Sequence, residues 1–152
     1  MTNPTRQVSG NHTKPHLLGY HSMEFIMKLI HKKIVFEDER GRIMDILEKE
    51  KIGHVALLTS KKGSIRGNHY HKKSVQYDFL LKGKIKHFSQ MPGEEVKTSI
   101  IKPNDLVINY PMEKHALVAL EDSELLVLAT GIRTGGNYEK DTYKLTKKLI
   151  SC

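Results

Sequence analysis

From Met27 onward the sequence is a series of short apolar runs, and this pattern leaves little room for anything but β-structure. The runs are MKLIHKKIVF, HVALLTS, VQYDFLLKG, VKTSIIKPND, LVINYP and KHALVALEDSELLVLATG. Each is rich in β-branched or aliphatic residues and is followed by turn-forming residues, as in strands joined by hairpins. We therefore predict an all-β fold, an antiparallel barrel or sandwich.

Two runs allow a finer prediction. From Val75 to Leu81 the odd positions are apolar, whereas Gln76 and Asp78 lie between them. Successive side chains of a strand point to opposite faces, so this run predicts a strand buried on one face. The segment IMDILEKEK, residues 43–51, is the single stretch whose pattern favours a helix.

Length and composition predict one domain. The chain has 152 residues, 38% of them hydrophobic and 28% charged, which suits a globular protein with one core. Residues 1–26 contain scattered proline, glycine and asparagine without periodicity, which predicts a flexible extension. We predict a barrel over residues 27–145 and a basic tail over residues 146–152.

The formal net charge of +8 favours an anionic partner. The lysines occur in scattered pairs rather than in one stripe, which argues against nucleic acid and suits a small phosphorylated ligand. No apolar run is long enough to cross a membrane, and no secretory signal is recognisable. The single cysteine, Cys152, allows no internal disulfide, so we expect a cytoplasmic protein.

A spaced histidine pattern is the strongest chemical signal. His69 and His71 are separated by one residue; Gly63 lies six positions before His69, and Gln76 and Gly83 lie five and twelve positions after His71. Residues i and i+2 of a strand point to the same side, and a returning hairpin would bring His115, in the segment NDLVINYPMEKHALVA, opposite them. We predict that these three imidazoles converge in the mouth of the barrel.

Two chemistries suit such a cluster. His69, His71 and His115 could ligate zinc, iron, manganese or nickel, but Gln76 supplies only a neutral amide oxygen, so Asp78 or water would have to complete the shell. Alternatively, the imidazoles move protons without any cofactor, because histidine titrates near neutral pH. One histidine would then remove a proton beside a ketone, while the other binds the oxygen or returns a proton to the neighbouring carbon.

The spacing from Gly63 to Gly83 matches the first motif of the cupins, a family of small jelly-roll barrels, and the segment around His115 is similar to a degraded second motif. RGNHYHKKSVQ resembles the corresponding segment of the dTDP-4-keto-6-deoxyglucose 3,4-ketoisomerases, and FEDERGRI resembles a segment that they share with dTDP-4-dehydrorhamnose 3,5-epimerases. The resemblance implies a cupin-type barrel, a nucleotide-sugar substrate and no cofactor. It also implies catalytic roles for His69 and His71, and substrate contacts for Arg66, Gln76 and Arg40, the last across a dimer.

Other residues are weaker candidates for the same pocket. Tyr110 is a candidate to stack on a nucleobase or to act as an acid, and Lys72 is a candidate to attract phosphate. Barrels of this kind often dimerise, so we expect a homodimer. Three hypotheses follow: a nucleotide-sugar isomerase, a metal-dependent cupin enzyme such as a dioxygenase, and a noncatalytic sugar-binding or anion-binding barrel.

Overall fold

The computed structural model describes residues 27–131 and 140–151. Within these ranges the regular structure consists of β-strands. They are β1 (Lys28–His31), β2 (Phe36–Asp38), β3 (Gly41–Ile43), β4 (His54–Ser60), β5 (Ile65–Tyr70), β6 (Gln76–Lys82), β7 (Ile85–Gln90), β8 (Lys97–Ile101), β9 (Asp105–Asn109), β10 (Lys114–Ala119), β11 (Ser123–Ala129) and β12 (Tyr143–Lys144).

Two five-stranded antiparallel sheets form the body of the protein. One has the strand order β1-β9-β6-β11-β4 and the other has the order β12-β5-β10-β7-β8, while β2 and β3 form a separate hairpin. The apolar core contains side chains of both sheets: Leu80, Ile85, Ile101, Val107, Leu117, Ala119, Leu125 and Val127. The predicted all-β antiparallel architecture is confirmed.

Strand β6 is buried on both faces rather than on one. Residues from Gln76 to Leu80 are all buried, so the prediction of a half-buried strand was wrong. Leu80 packs in the core between the sheets, whereas Tyr77 and Phe79 belong to a second apolar cluster. Gln76 and Asp78 are therefore buried polar groups, and such groups need hydrogen-bond partners inside the protein.

The helix predicted over residues 43–51 is not formed. Ile43 ends β3, and the residues that follow it up to β4 have no regular structure. Met44, Ile46 and Leu47 instead pack against the second apolar cluster, the one that contains Tyr77 and Phe79. Tertiary burial of these side chains overrides their local helix propensity.

The two predicted terminal segments differ in what can be described. The predicted extension, residues 1–26, lies outside the described residues. Part of the predicted basic tail contacts the barrel: Asn68 of β5 accepts a hydrogen bond from the amide of Leu149 and donates one to the carbonyl of Ile150. In residues 27–131 and 140–151, no helix is long and apolar enough to cross a membrane.

Candidate functional site

A β-bulge brings the two histidine segments together. Strands β5 and β10 pair with His115 opposite His69, and the register shifts between His115 and Ala116. Gly67 has a φ of 82°, a conformation that favours glycine. A Cβ added there would lie 2.8 Å from the carbonyl oxygen of His115. The glycine of the RGNHYH segment therefore permits the close approach of the strand that carries His115.

The three imidazoles converge as predicted. The ring centroids of His69 and His71 are 4.9 Å apart, those of His69 and His115 are 4.7 Å apart, and those of His71 and His115 are 5.4 Å apart. His71 and His115 are buried, and His69 is partly exposed. His69 is thus the member of the cluster that is most open to solvent or to a ligand.

A cavity of about 400 Å³ adjoins this cluster. Its polar wall includes His69, His115, Gln76, Asp78 and Arg66. Its apolar wall is formed mainly by the inward side of β4 and by the core, with Ala56, Leu58, Leu117 and Val127. This volume is at the lower end of the range for small-molecule sites, and the mixture of apolar wall and few convergent polar groups is typical of them.

Behind the cavity wall, a chain of hydrogen bonds links both sheets. The Gln76 amide donates to both carboxylate oxygens of Asp78, at 2.9 and 3.1 Å, and the Asn109 amide donates to Asp78 at 2.7 Å. The carbonyl oxygen of Gln76 lies 3.1 Å from Nε2 of His71, and that of Asn109 lies 2.9 Å from Nε2 of His87. All five of these side chains are buried.

Burial keeps the rings of His87 and His115 neutral. It lowers the pKa of His87 to about 4, and the hydrogen bond that His87 makes to the carbonyl oxygen of Asn109 only partly opposes this. Burial is also the main reason that the pKa of His115 lies well below its ordinary value, and the neighbouring His69, His71 and His87 add to the effect. Within the described residues, Nε2 of His115 has no hydrogen-bond partner. Because Nδ1 faces the backbone oxygen of Glu113, neutral His115 carries its proton on Nδ1 and leaves Nε2 unprotonated.

Asp141 holds the loop that follows β5 and carries His71 through several hydrogen bonds. Its backbone oxygen lies 2.6 Å from Nδ1 of His71, and its carboxylate accepts hydrogen bonds from the amides of Lys72, Lys73 and Ser74 at 2.9, 3.2 and 2.8 Å. Burial raises the pKa of Asp141, but hydrogen bonds from Ser74, Lys72 and Lys73 outweigh that effect, so the pKa is lowered. The position of His71 thus depends on a residue far away in the sequence.

An Asp141→Ala variant is expected to lose about 1–3 kcal/mol of unfolding free energy, because the three amides lose a charged acceptor. The folded pKa of Asp141 is below the ordinary value of 3.8, so its contribution is present above that value and is lost as pH falls through the lower pKa. Urea denaturation at pH 7 and at pH 3 measures this. Equal destabilisation of an Asp122→Ala variant, which removes an exposed acceptor on the β10–β11 loop, would show that Asp141 has no special role.

The three imidazoles lie close enough together to surround a metal ion, because one candidate ligand atom from each of His69, His71 and His115 lies within 4.8 Å of the others. However, Nε2 of His71 is directed at the carbonyl oxygen of Gln76, and Asp78 holds that amide in place. An ion bound to Nε2 of His71 would have to replace that contact, and the amide of Gln76 would offer it no negative charge.

The predicted substrate-binding residues Arg66 and Arg40 lie in different parts of the structure. Arg66 lies at the border of the histidine cavity and a second, polar cavity of about 540 Å³, and donates to Ser60 and to the carbonyl of Thr59. Arg40 lies on the exposed β2–β3 hairpin and pairs with Asp38. Its guanidinium holds the pKa of Asp38 below its ordinary value.

The other two predicted contacts point elsewhere within this chain. The ammonium of Lys72 lies 4.2 Å from the ring centroid of Tyr143, which in turn stacks on Tyr70. Tyr110 packs against the outer apolar cluster with Tyr77 and Phe79. The structure therefore does not bring Lys72 or Tyr110 to the cavity wall beside the histidines.

Sequence reasoning missed several residues of the site. His54 and Thr59 line the cavity, and Asn109 and His87 complete the buried chain of hydrogen bonds. The alternation of His54, Ala56 and Leu58 along β4 could have placed His54 on the inner face. No local signal identifies Asp141, because its partners are about 70 positions earlier in the sequence.

Solved structures of other proteins share the overall fold. A sugar 3,4-ketoisomerase (QdtA) from Thermoanaerobacterium thermosaccharolyticum, solved in complex with TDP, is 26% identical; the match covers 82% of this chain and 91% of that one, with a TM-score of 0.66. A dTDP-4-dehydrorhamnose 3,5-epimerase from Sulfolobus tokodaii is 20% identical over 82% of this chain and 79% of that one, with a TM-score of 0.66. A 3,4-ketoisomerase from Helicobacter canadensis is 20% identical over 78% of this chain and 90% of that one, again with a TM-score of 0.66. No curated protein matches the chain in sequence.

The predicted cupin-type jelly roll is confirmed by these superpositions. The family model described as the polysaccharide biosynthesis C-terminal domain matches residues 36–143, which span β2 to the start of β12 and include every histidine of the cluster. Because this match covers well over half of the chain, the chain belongs to the polysaccharide biosynthesis C-terminal domain family.

Proposed function

We propose that this protein isomerises a nucleotide-linked 4-keto sugar by moving protons between neighbouring carbons. The observation that carries the proposal is the position of His69 and His115 on the wall of a sugar-sized cavity, beside Arg66 and a second polar cavity. The similar ketoisomerase was solved with TDP, and a variant of it was solved with TDP-4-keto-6-deoxyglucose. These ligands support the same substrate class for this chain.

The proposed reaction needs no oxidant or reductant. His69 takes the proton from the carbon beside the ketone, the electron pair of that C–H bond forms the C=C bond of an enediolate, and the ketone oxygen takes up the negative charge. The neighbouring hydroxyl then loses its proton and becomes the new ketone, while the former carbonyl carbon and its oxygen each gain one. His69 suits the first step because it is partly exposed, and imidazole has a pKa near the working pH.

The second polar cavity suits the diphosphate of such a substrate. Its wall contains three cationic side chains, Lys61, Arg66 and Lys82, and hydroxyl groups of Ser60 and Ser64. It also contains the carboxylates of Asp122, which pairs with Lys61, and Glu124. A guanidinium binds phosphate oxygens in a bidentate manner, and Arg66 borders both cavities. We assign the sugar to the histidine cavity and the diphosphate to the polar cavity, with Arg66 between them.

Deuterium exchange tests the reaction. Incubation with TDP-4-keto-6-deoxyglucose in deuterated water is expected to place solvent deuterium on carbon 3 or carbon 4 and to yield the 3-keto isomer, both measured by NMR. Deuterium without a 3-keto product would indicate an epimerase. A shift in melting temperature with no deuterium incorporation would overturn catalysis and leave a noncatalytic sugar-binding barrel.

We also propose that two copies of the chain associate through exposed apolar surface near the site. Val55 and Leu57 point outward from the edge strand β4 with 59% and 62% of their surface exposed. The β2–β3 hairpin pairs only with itself in the described part of the chain and exposes Phe36 and Ile43. A lone two-stranded hairpin is marginal in water, so a second copy that covers it would stabilise it.

Sedimentation tests this association. The unaltered protein is expected to sediment as a dimer, and a Leu57→Asp variant is expected to sediment as a monomer, because a buried carboxylate at the interface would be unpaired. A Val96→Asp variant places the same charge on an exposed apolar residue of the β7–β8 loop and serves as the control. A monomeric wild-type protein would contradict the proposal, as would a dimeric Leu57→Asp variant.

A further inference from the structure

The buried chain of hydrogen bonds has a fixed direction, and Asp78 sets it. An ionised carboxylate only accepts hydrogen bonds, so the NH₂ groups of Gln76 and Asn109 both face Asp78. Each amide must then turn its carbonyl oxygen the other way. That of Gln76 faces His71, and that of Asn109 faces His87.

The two histidines at the ends of the chain must therefore donate. His87 donates from Nε2 to Asn109 and needs no second proton, since its Nδ1 has no hydrogen-bond partner among the described residues. His71 is different, because both of its ring nitrogens face oxygen acceptors. Nδ1 lies 2.6 Å from the carbonyl oxygen of Asp141, and Nε2 lies 3.1 Å from the carbonyl oxygen of Gln76. Only the imidazolium form, which carries a proton on each nitrogen, makes both bonds.

We propose that Asp78 is a positioning residue that acts through the Gln76 amide and holds His71 as a doubly protonated cation behind the reacting groups. Its carboxylate balances the charge of the imidazolium across one intervening side chain. A buried cation without such compensation would be costly. The arrangement also explains the amide at position 76, since a second carboxylate there would place two like charges side by side.

This inference rests on the proposed isomerisation and divides the work among the histidines. His71 has no lone pair with which to abstract a proton, and its ring lies 4.9 Å from that of His69. A fixed positive charge next to the base stabilises the negative oxygen of an enediolate. His69 is then the base that touches substrate and returns the proton to the neighbouring carbon, and His115, neutral and on the cavity wall, is the group available to accept the hydroxyl proton and pass it to the enediolate oxygen.

Nitrogen-15 NMR of the full chain without substrate tests the charge state of His71. The unaltered protein is expected to show two ring N–H correlations that disappear in a His71→Asn variant. In an Asp78→Asn variant only one is expected, because the Gln76 amide is free to turn over and the imidazolium loses its counter-charge. A Gln76→Leu variant, which removes the acceptor, is expected to give the same result and serves if Asp78→Asn fails to fold.

A matched control changes the other end of the chain. His87→Gln keeps a donor to Asn109 and leaves the Gln76 arm intact, so both His71 correlations are expected to remain. A single N–H on His71 in the unaltered protein would overturn the proposal. Two N–H correlations that survive in a folded Asp78→Asn or Gln76→Leu variant would overturn it as well.

Kinetics give a readout that a purely structural role would not produce. Asp78→Asn is expected to lower kcat about 10- to 100-fold with little change in KM, the loss typical of a misplaced catalytic group. Adding Gln76→Glu to this variant restores a carboxylate next to His71 and is expected to recover most of the rate, assayed with a chelator present. No recovery would contradict the positioning role of Asp78. If the unaltered protein transfers no deuterium, the proposed function fails, whereas the NMR result still decides the state of His71.

Discussion

A His69→Asn variant is expected to lose about 10²- to 10⁴-fold in kcat for isomerisation, because general base catalysis typically contributes that much. Asparagine keeps a polar group of similar size at the cavity wall but cannot accept a proton near neutral pH. The measurement is the rate of deuterium incorporation from solvent into TDP-4-keto-6-deoxyglucose, followed by NMR, together with the affinity for TDP from calorimetry. Affinity for TDP is expected to change little, since TDP lacks the keto sugar that would occupy the histidine cavity.

The matched control is His31→Asn on β1. His31 is largely exposed and pairs with Asp105 rather than with the histidine cluster, so its replacement is expected to leave the exchange rate unchanged. Deuterium incorporation by His69→Asn at the wild-type rate would remove the base from the proposed mechanism. A parallel loss of TDP affinity and of rate would assign His69 to binding instead.

A Gln76→Glu variant is expected to bind one divalent ion per chain, with an affinity for zinc at least about 100-fold above that of the unaltered protein. The new carboxylate would supply the charged fourth ligand that the three histidines lack, and it would lie beside Asp78, whose like charge also favours a cation. The hydrogen bond that now directs His71 toward the amide would be replaced by a shared ion. Elemental analysis of protein without a polyhistidine tag gives the stoichiometry, and calorimetry gives the affinity.

The control for charge alone is Gln90→Glu at the end of β7, where the Gln90 side chain contacts Glu94 rather than a histidine. It is expected to bind no more metal than the unaltered protein. Stoichiometric metal in unaltered, tag-free protein, lost in His115→Ala, would contradict proton transfer without a cofactor and favour the metalloenzyme hypothesis. Failure of Gln76→Glu to gain affinity would show that the imidazoles cannot rearrange around an ion.

Most of the barrel follows from local pattern. HVALLTS coincides with β4, and the histidine spacing correctly predicts that His69, His71 and His115 meet. The helix predicted for residues 43–51 fails for a reason outside that segment: the outer face of β6 is apolar and has to be covered. Local helix propensity does not include the burial of apolar side chains against a strand more than twenty residues away.

Contacts within one strand of the candidate site could be predicted from the sequence, whereas contacts between distant segments could not. Alternation along a strand correctly places Gln76 beside Asp78, because both lie on one short element. The carbonyl of Asp141 and the amide of Asn109 reach their partners through folding of the whole chain, and nothing in their immediate neighbours marks them. The same holds for Tyr110, whose sequence context fits a pocket as well as it fits the outer cluster in which it packs.

The central place of β6 has a consequence for the kinetics of folding. Its neighbours β9 and β11 begin at Asp105 and Ser123, so neither pairing is local, and non-local pairings slow the approach to the transition state. Because Asp78 is buried in the native sheet between these two neighbours, we expect its dehydration to be a late event in folding. Variants that remove this charge are therefore expected to alter the unfolding rate more than the refolding rate.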